Sequence, residues 1–92
     1  MSDGPRVLVV DDEVQIRRFL RIALEANGYR VYETSSGSAA VQEAARLRPD
    51  LVILDIGLPD IGGLEVLRRL REWTPTPVIM LSVRDADRDK VA

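Results

Sequence analysis

The sequence contains no cysteine and no histidine. The first absence excludes disulfides and thiolate metal sites. The second removes imidazole-based zinc sites, Ser-His-Asp triads and Cys-His dyads. There is no excess of basic charge either: 13 Lys and Arg stand against 15 Asp and Glu, a formal net charge of −2. That balance speaks against a nucleic-acid-binding chain, which carries a basic footprint. No apolar run approaches the ~18 residues needed to span a bilayer. The start, Met1-Ser2-Asp3-Gly4-Pro5-Arg6, lacks the charged-then-apolar layout of a secretion signal, so a cytoplasmic location is expected. What remains is an ordinary soluble composition, 46% hydrophobic and 30% charged, which argues against disorder. At 92 residues it suits one small domain, residues 1–92, with a thin stability margin. Any chemistry must come from carboxylates, hydroxyls, the backbone or a bound ion.

Short apolar runs alternate with longer helical periods. Val7-Leu8-Val9-Val10, Leu51-Val52-Ile53-Leu54 and Val78-Ile79-Met80-Leu81 are continuous runs of the kind found in strands buried on both faces. Arg30-Val31-Tyr32-Glu33-Thr34 alternates and suits an edge strand. Between these segments, Ile16, Phe19, Leu20, Ala23 and Leu24 form one helical stripe, stopped at Asn27-Gly28. A second, alanine-rich face comprises Ala40, Val41, Ala44, Ala45 and Leu47, after the candidate N-caps of Ser35-Ser36-Gly37-Ser38 and before Pro49. Leu64, Leu67, Leu70 and Trp73 mark a third helix. The segment from Gly57 to Gly63 reads as a loop. This β-α-β-α-β-α-β order, with a further helix opening after Asp85, predicts an α/β fold built on a parallel sheet.

Three of the runs end in polar residues: Asp11-Asp12, Asp55 and Ser82. In open parallel sheets ligands bind outside the carboxyl ends of the strands. If the first and third strands are neighbours, only ~4.8 Å separates them and the three aspartates converge. Carboxylates that close must share a proton or bind a cation. An oxygen-only donor set suits a hard ion, Mg²⁺ or Mn²⁺, with Gly57 allowing backbone to approach it. Each residue also has a plainer reading. Asp12 with Gln15 makes a capping box, Asp55 a turn cap, and Ser82 a turn hydroxyl. Arg17, Arg18, Arg21, Arg68, Arg69 and Arg71 read as solvated helix faces with acidic partners nearby. Trp73 reads as helix-end packing.

Together, Val7–Glu13, Leu51–Pro59 with Gly63, and Val78–Ser82 resemble the receiver domain of bacterial two-component response regulators. Gln15–Leu20 and Leu54–Asp60 further resemble the subfamily that regulates potassium uptake. The resemblance implies a flavodoxin-like parallel sheet of order 2-1-3-4-5. It makes Asp55 the phosphoacceptor, phosphorylated from a sensor histidine kinase. It makes Asp11, Asp12, Asp55 and the backbone carbonyl of Gly57 the Mg²⁺ ligands, and Ser82 the switch hydroxyl. Such a chain is an autocatalytic acceptor and not a turnover enzyme. Two departures stand out. Val83 occupies a place where the family usually has a smaller residue. The chain also stops before the family's fifth strand, whose terminal lysine Lys90 does not match. The expectation is therefore a receiver with sheet order 2-1-3-4, lacking the fifth strand and helix and self-associating through the exposed fourth-strand edge. The alternative is a structural fragment that no longer accepts phosphate. An aspartyl-phosphate hydrolase would need a second Asp where Gly57 stands, and a dinucleotide site would need glycines where Val9-Val10-Asp11-Asp12 stands.

Overall fold

The computed structural model describes residues 4–81. Its elements follow the expected alternation: β1 (Arg6–Val10), α1 (Val14–Glu25), β2 (Arg30–Thr34), α2 (Gly37–Leu47), β3 (Leu51–Asp55), α3 (Gly63–Arg71) and β4 (Val78–Leu81). Among the described residues the sheet has four strands in the order β2-β1-β3-β4, all pairs parallel. This is the flavodoxin-like order that the resemblance implies. Ser82, Val83 and Lys90 lie outside the described residues.

The apolar runs become strands because the central pair is covered on both sides. Val7, Leu8, Val9 and Val10 are each fully buried, and the strand's two-residue period divides them between two cores. Leu8 and Val10 join Val52, Leu54, Ala40, Ala44, Leu47, Val66 and Leu70 beneath α2 and α3. Val7 and Val9 join Val31 and Ile53 on the other face, where Leu20 and Leu24 of α1 pack. β4 departs from the buried reading of its run. It lies at the edge of the described sheet, and Ile79 is half exposed.

The helix faces also differ in detail from the sequence stripes. α1 buries no residue completely; Leu20 and Leu24 are half-buried and Phe19 is exposed. In α3 the inward face is Gly63, Val66 and Leu70, while Leu64 is exposed and Trp73 lies beyond the helix, half exposed. A Cβ on Gly63 would stand 2.5 Å from the Asp55 carbonyl oxygen, so the backbone contact of that glycine fixes the rotation of α3. In α2, Gly37 is buried and Ala45 is exposed. Ser36 caps that helix as anticipated, accepting from the Ala39 N–H. The N-cap of α1 is Glu13, one residue beyond the Asp12 expected from the sequence. Among the described residues no helix is long and apolar enough to cross a membrane.

Candidate functional site

Register places the site. Val10 of β1 pairs with Leu54 of β3, so the next residues lie side by side, Asp11 just past β1 and Asp55 as the last residue of β3. Asp55 is still in the ladder, opposite Leu81 of β4, and Ile56 donates its N–H to the Leu81 carbonyl. Asp11 donates its N–H to the Thr34 carbonyl at the end of β2. Both side chains are buried, at 1% and 3% exposure, whereas Asp12 is exposed. Each of the three aspartates offers a carboxylate oxygen within 4.8 Å of the others.

Local hydrogen bonds orient these groups. One Asp11 carboxylate oxygen accepts the Glu13 N–H at 2.9 Å, turning the chain from β1 into α1. One Asp55 oxygen accepts the Gly57 N–H at 3.2 Å, forming the equivalent turn after β3. Arg17 donates to the Asp11 backbone carbonyl and, through Nε, to Glu33. The cluster thus has a rigid floor, in which two strand ends carry the buried carboxylates and two short turns hold them.

Carboxylates this close, two of them buried, repel one another unless a proton or a cation is shared between them. All the donors are oxygen, which fits Mg²⁺ or Mn²⁺ and not a soft metal. The donor chemistry, two buried acids and one exposed one, suits an ion open to solvent on one side. The convergence of Asp11, Asp12 and Asp55 expected from the sequence is therefore present, and Gly57 lies in the turn beside Asp55.

The comparisons with known proteins agree with this geometry. The response regulator receiver domain model matches residues 7–92. The chain belongs to the receiver-domain family. Over 86 residues the receiver is 54% identical to the KDP operon transcriptional regulatory protein KdpE of Escherichia coli, covering 94% of this chain and 38% of that protein. It is likewise 54% identical over 85 residues to KdpE of Mycobacterium tuberculosis, covering 92% and 38%. The chain thus spans 38% of the length of these curated relatives. Among solved structures it is similar to CheY4 of Vibrio cholerae, with TM-score 0.80 and 31% identity, covering 84% of this receiver and 67% of that chain. The BeF3-activated receiver domain of Klebsiella pneumoniae RstA aligns with TM-score 0.79 and 29% identity, covering 82% and 64%.

Two structural residues near the site escaped the sequence reading. Asp60 reaches from the loop after β3 to the start of α2, accepting the Gly37 and Ser38 N–H groups at 2.8 and 2.9 Å. Those backbone donors, Ser38 foremost, hold its carboxyl well below the usual carboxylate range. Glu33 at the polar register of β2 binds both Arg17 and Arg21, and the Arg21 hydrogen bond chiefly lowers its pKa. The signal for Glu33 was its place on the alternating edge strand; for Asp60 no local signal existed.

Proposed function

We propose that this receiver accepts a phosphoryl group on Asp55 from the phosphohistidine of a sensor histidine kinase. The observation that carries this reading is the convergence of Asp11, Asp12 and Asp55 at the carboxyl ends of β1 and β3. In the transfer, an Asp55 carboxylate oxygen bonds to phosphorus as the phosphorus–nitrogen bond of the donor breaks. The imidazole leaves with its bonding electron pair and is neutralised by a proton. Two anions must meet in this step, so charge stabilisation and in-line positioning do most of what catalysis requires. Asp11, Asp12, Asp55 and the backbone carbonyl of Gly57 would hold a Mg²⁺, which would supply that charge neutralisation. Asp11 and Asp55 contribute by being fixed: their burial and the Glu13 and Gly57 N–H bonds leave little reorganisation at the moment of reaction.

By its resemblance to the family's motif, Ser82 would be the hydroxyl that bonds the new phosphoryl oxygens and biases a two-state element. Each chain takes one phosphoryl group, which makes it an acceptor and not a turnover enzyme. The identity to KdpE supports a finer reading, regulation of potassium-uptake genes in a bacterial cytoplasm. The partners of this reading are the kinase and, along the outer edge of β4, a second copy of the chain.

Intact mass after incubation with a small phosphodonor and Mg²⁺ tests the proposal. The parent sequence should gain one phosphoryl group, and Asp55→Asn should gain none. Chelating the metal should abolish the gain. Equal modification of both proteins, or no modification of the parent, would overturn the assignment of Asp55.

A further inference from the structure

The end of the sheet opposite the aspartates carries a second cluster of one charge. Arg6 opens β1 and Arg30 opens β2, and the two residues are direct register partners in parallel strands. Their side chains leave the same face of the sheet. Like charges placed opposite one another on neighbouring strands destabilise the pair. Arg48, the C-cap of α2, joins them around an open cleft of about 600 Å³ lined by Gly4, Pro5, Arg6, Arg30, Arg48 and Asp50. Among the described residues Asp50 is the one carboxylate in this wall, and one of its oxygens already accepts the Arg6 backbone N–H at 2.8 Å.

Helix capping accounts for one of the three guanidinium groups. Arg6 donates from Nη1 to the Leu47 carbonyl at the end of α2, at 2.7 Å. It does not account for the other two. The Nε of Arg30 is buried and has no hydrogen-bond partner among the described residues, a cost that folded proteins usually avoid. Arg48 sits in the left-handed region, at φ 51°, where glycine is the favoured residue. A like-charge register pair, a buried donor without an acceptor among the described residues, and an arginine at positive φ meet around one cleft.

We propose that this cleft is an anion site for a phosphoryl-type oxyanion bearing at least two negative charges, held by Arg30 and Arg48 with Arg6 behind them. Guanidinium forks match such oxygens in pairs. The surrounding backbone is preorganised. Arg30 donates its N–H to the Pro5 carbonyl and Asp50 donates to the Arg6 carbonyl, both at 2.8 Å, so the cleft walls are tied together before any ligand arrives. The site is separate from the aspartates, which lie at the other ends of the same strands.

Calorimetric titration with pyrophosphate in metal-free buffer at fixed ionic strength tests the proposal. Removing divalent ions closes the route through the acidic cluster. The parent chain should bind one pyrophosphate saturably, and inorganic phosphate should bind more weakly. Arg30→Gln and Arg48→Gly should each weaken binding about tenfold, as expected for a lost charge-assisted pair. Arg48→Gly keeps the positive φ comfortable and so separates loss of the site from loss of the fold. Arg18→Gln, an exposed arginine of α1, should bind as the parent does. Absence of saturable binding, an equal loss in Arg18→Gln, or undiminished binding in a folded Arg48→Gly would overturn the proposal.

Discussion

Asp60 shows how a single exposed carboxylate can tie two distant segments together. It satisfies two of the N–H groups that the start of α2 leaves unpaired, from a position 22 and 23 residues further along the chain. Those bonds lower its native pKa, so in the acid range the folded chain holds fewer protons on this group than the unfolded chain does. Its contribution is therefore complete above the unfolded value, about pH 4, and is lost as pH falls through the lower native value. Asp60→Asn removes the charge. The parent should exceed this variant in urea midpoint at pH 7, and the gap should narrow steadily as pH falls below about 4. A gap independent of pH would show that the carboxylate charge is irrelevant to the contact. Glu65, held down to about 2 chiefly by the Arg68 hydrogen bond, shifts stability in the same direction in both proteins and cancels in the difference.

At the scale of elements, α1 differs from its neighbours. α2 and α3 each place residues fully inside the core, among them Ala40, Ala44, Val66 and Leu70. α1 places none there; it rests on the half-buried Leu20 and Leu24 and on the Arg17 and Arg21 pairs to Glu33. Burial of a Leu or Val side chain is worth roughly 1.5–3 kcal/mol, so α1 should be the first helix to open. Glu33→Gln should cost about 0.5–1 kcal/mol and speed amide exchange in α1 while β1 and β3 stay protected. Equal acceleration in every element would refute a local role. Most of the element order was legible in the sequence because apolar runs of four and helical stripes are local signals. The meeting of Asp11 with Asp55 was legible too, because parallel strands that begin together also end together. The rotation of α3 was not. Leu64, Leu67 and Leu70 form a respectable stripe, but the close approach of Gly63 to the Asp55 carbonyl selects Val66 and Leu70. The reach of Asp60 was hidden for a related reason: its partners are set by tertiary contact, and a loop of turn-forming residues carries no mark of what it will touch. The N-cap falls at Glu13, whose own N–H is taken by the Asp11 carboxylate, a local contact that the sequence pattern does not announce.

Across the whole molecule, two apolar surfaces have no cover among the described residues. The outer edge of β4 has no ladder partner there, and Ile79 is half exposed. On the opposite face of the sheet, α1 presents Phe19 and Ile22 at 69% and 63% exposure. An open strand edge is a template for pairing with another chain. The 92-residue chain should therefore show a mass in light scattering that rises with concentration, and Ile79→Lys should reduce that rise. A monomer at every concentration would refute pairing along β4. The arrangement of the strands has another consequence, this time for charge. Arg6 and Asp11 bracket β1, and five residue steps put them about 16 Å apart. That is roughly twice the ~8 Å over which physiological salt screens a charge. The arginines at one end and the aspartates at the other therefore do not cancel for anything approaching from solution. A net charge of −2 is a sum that no partner meets: from one side the receiver is a cation, and from the other an anion.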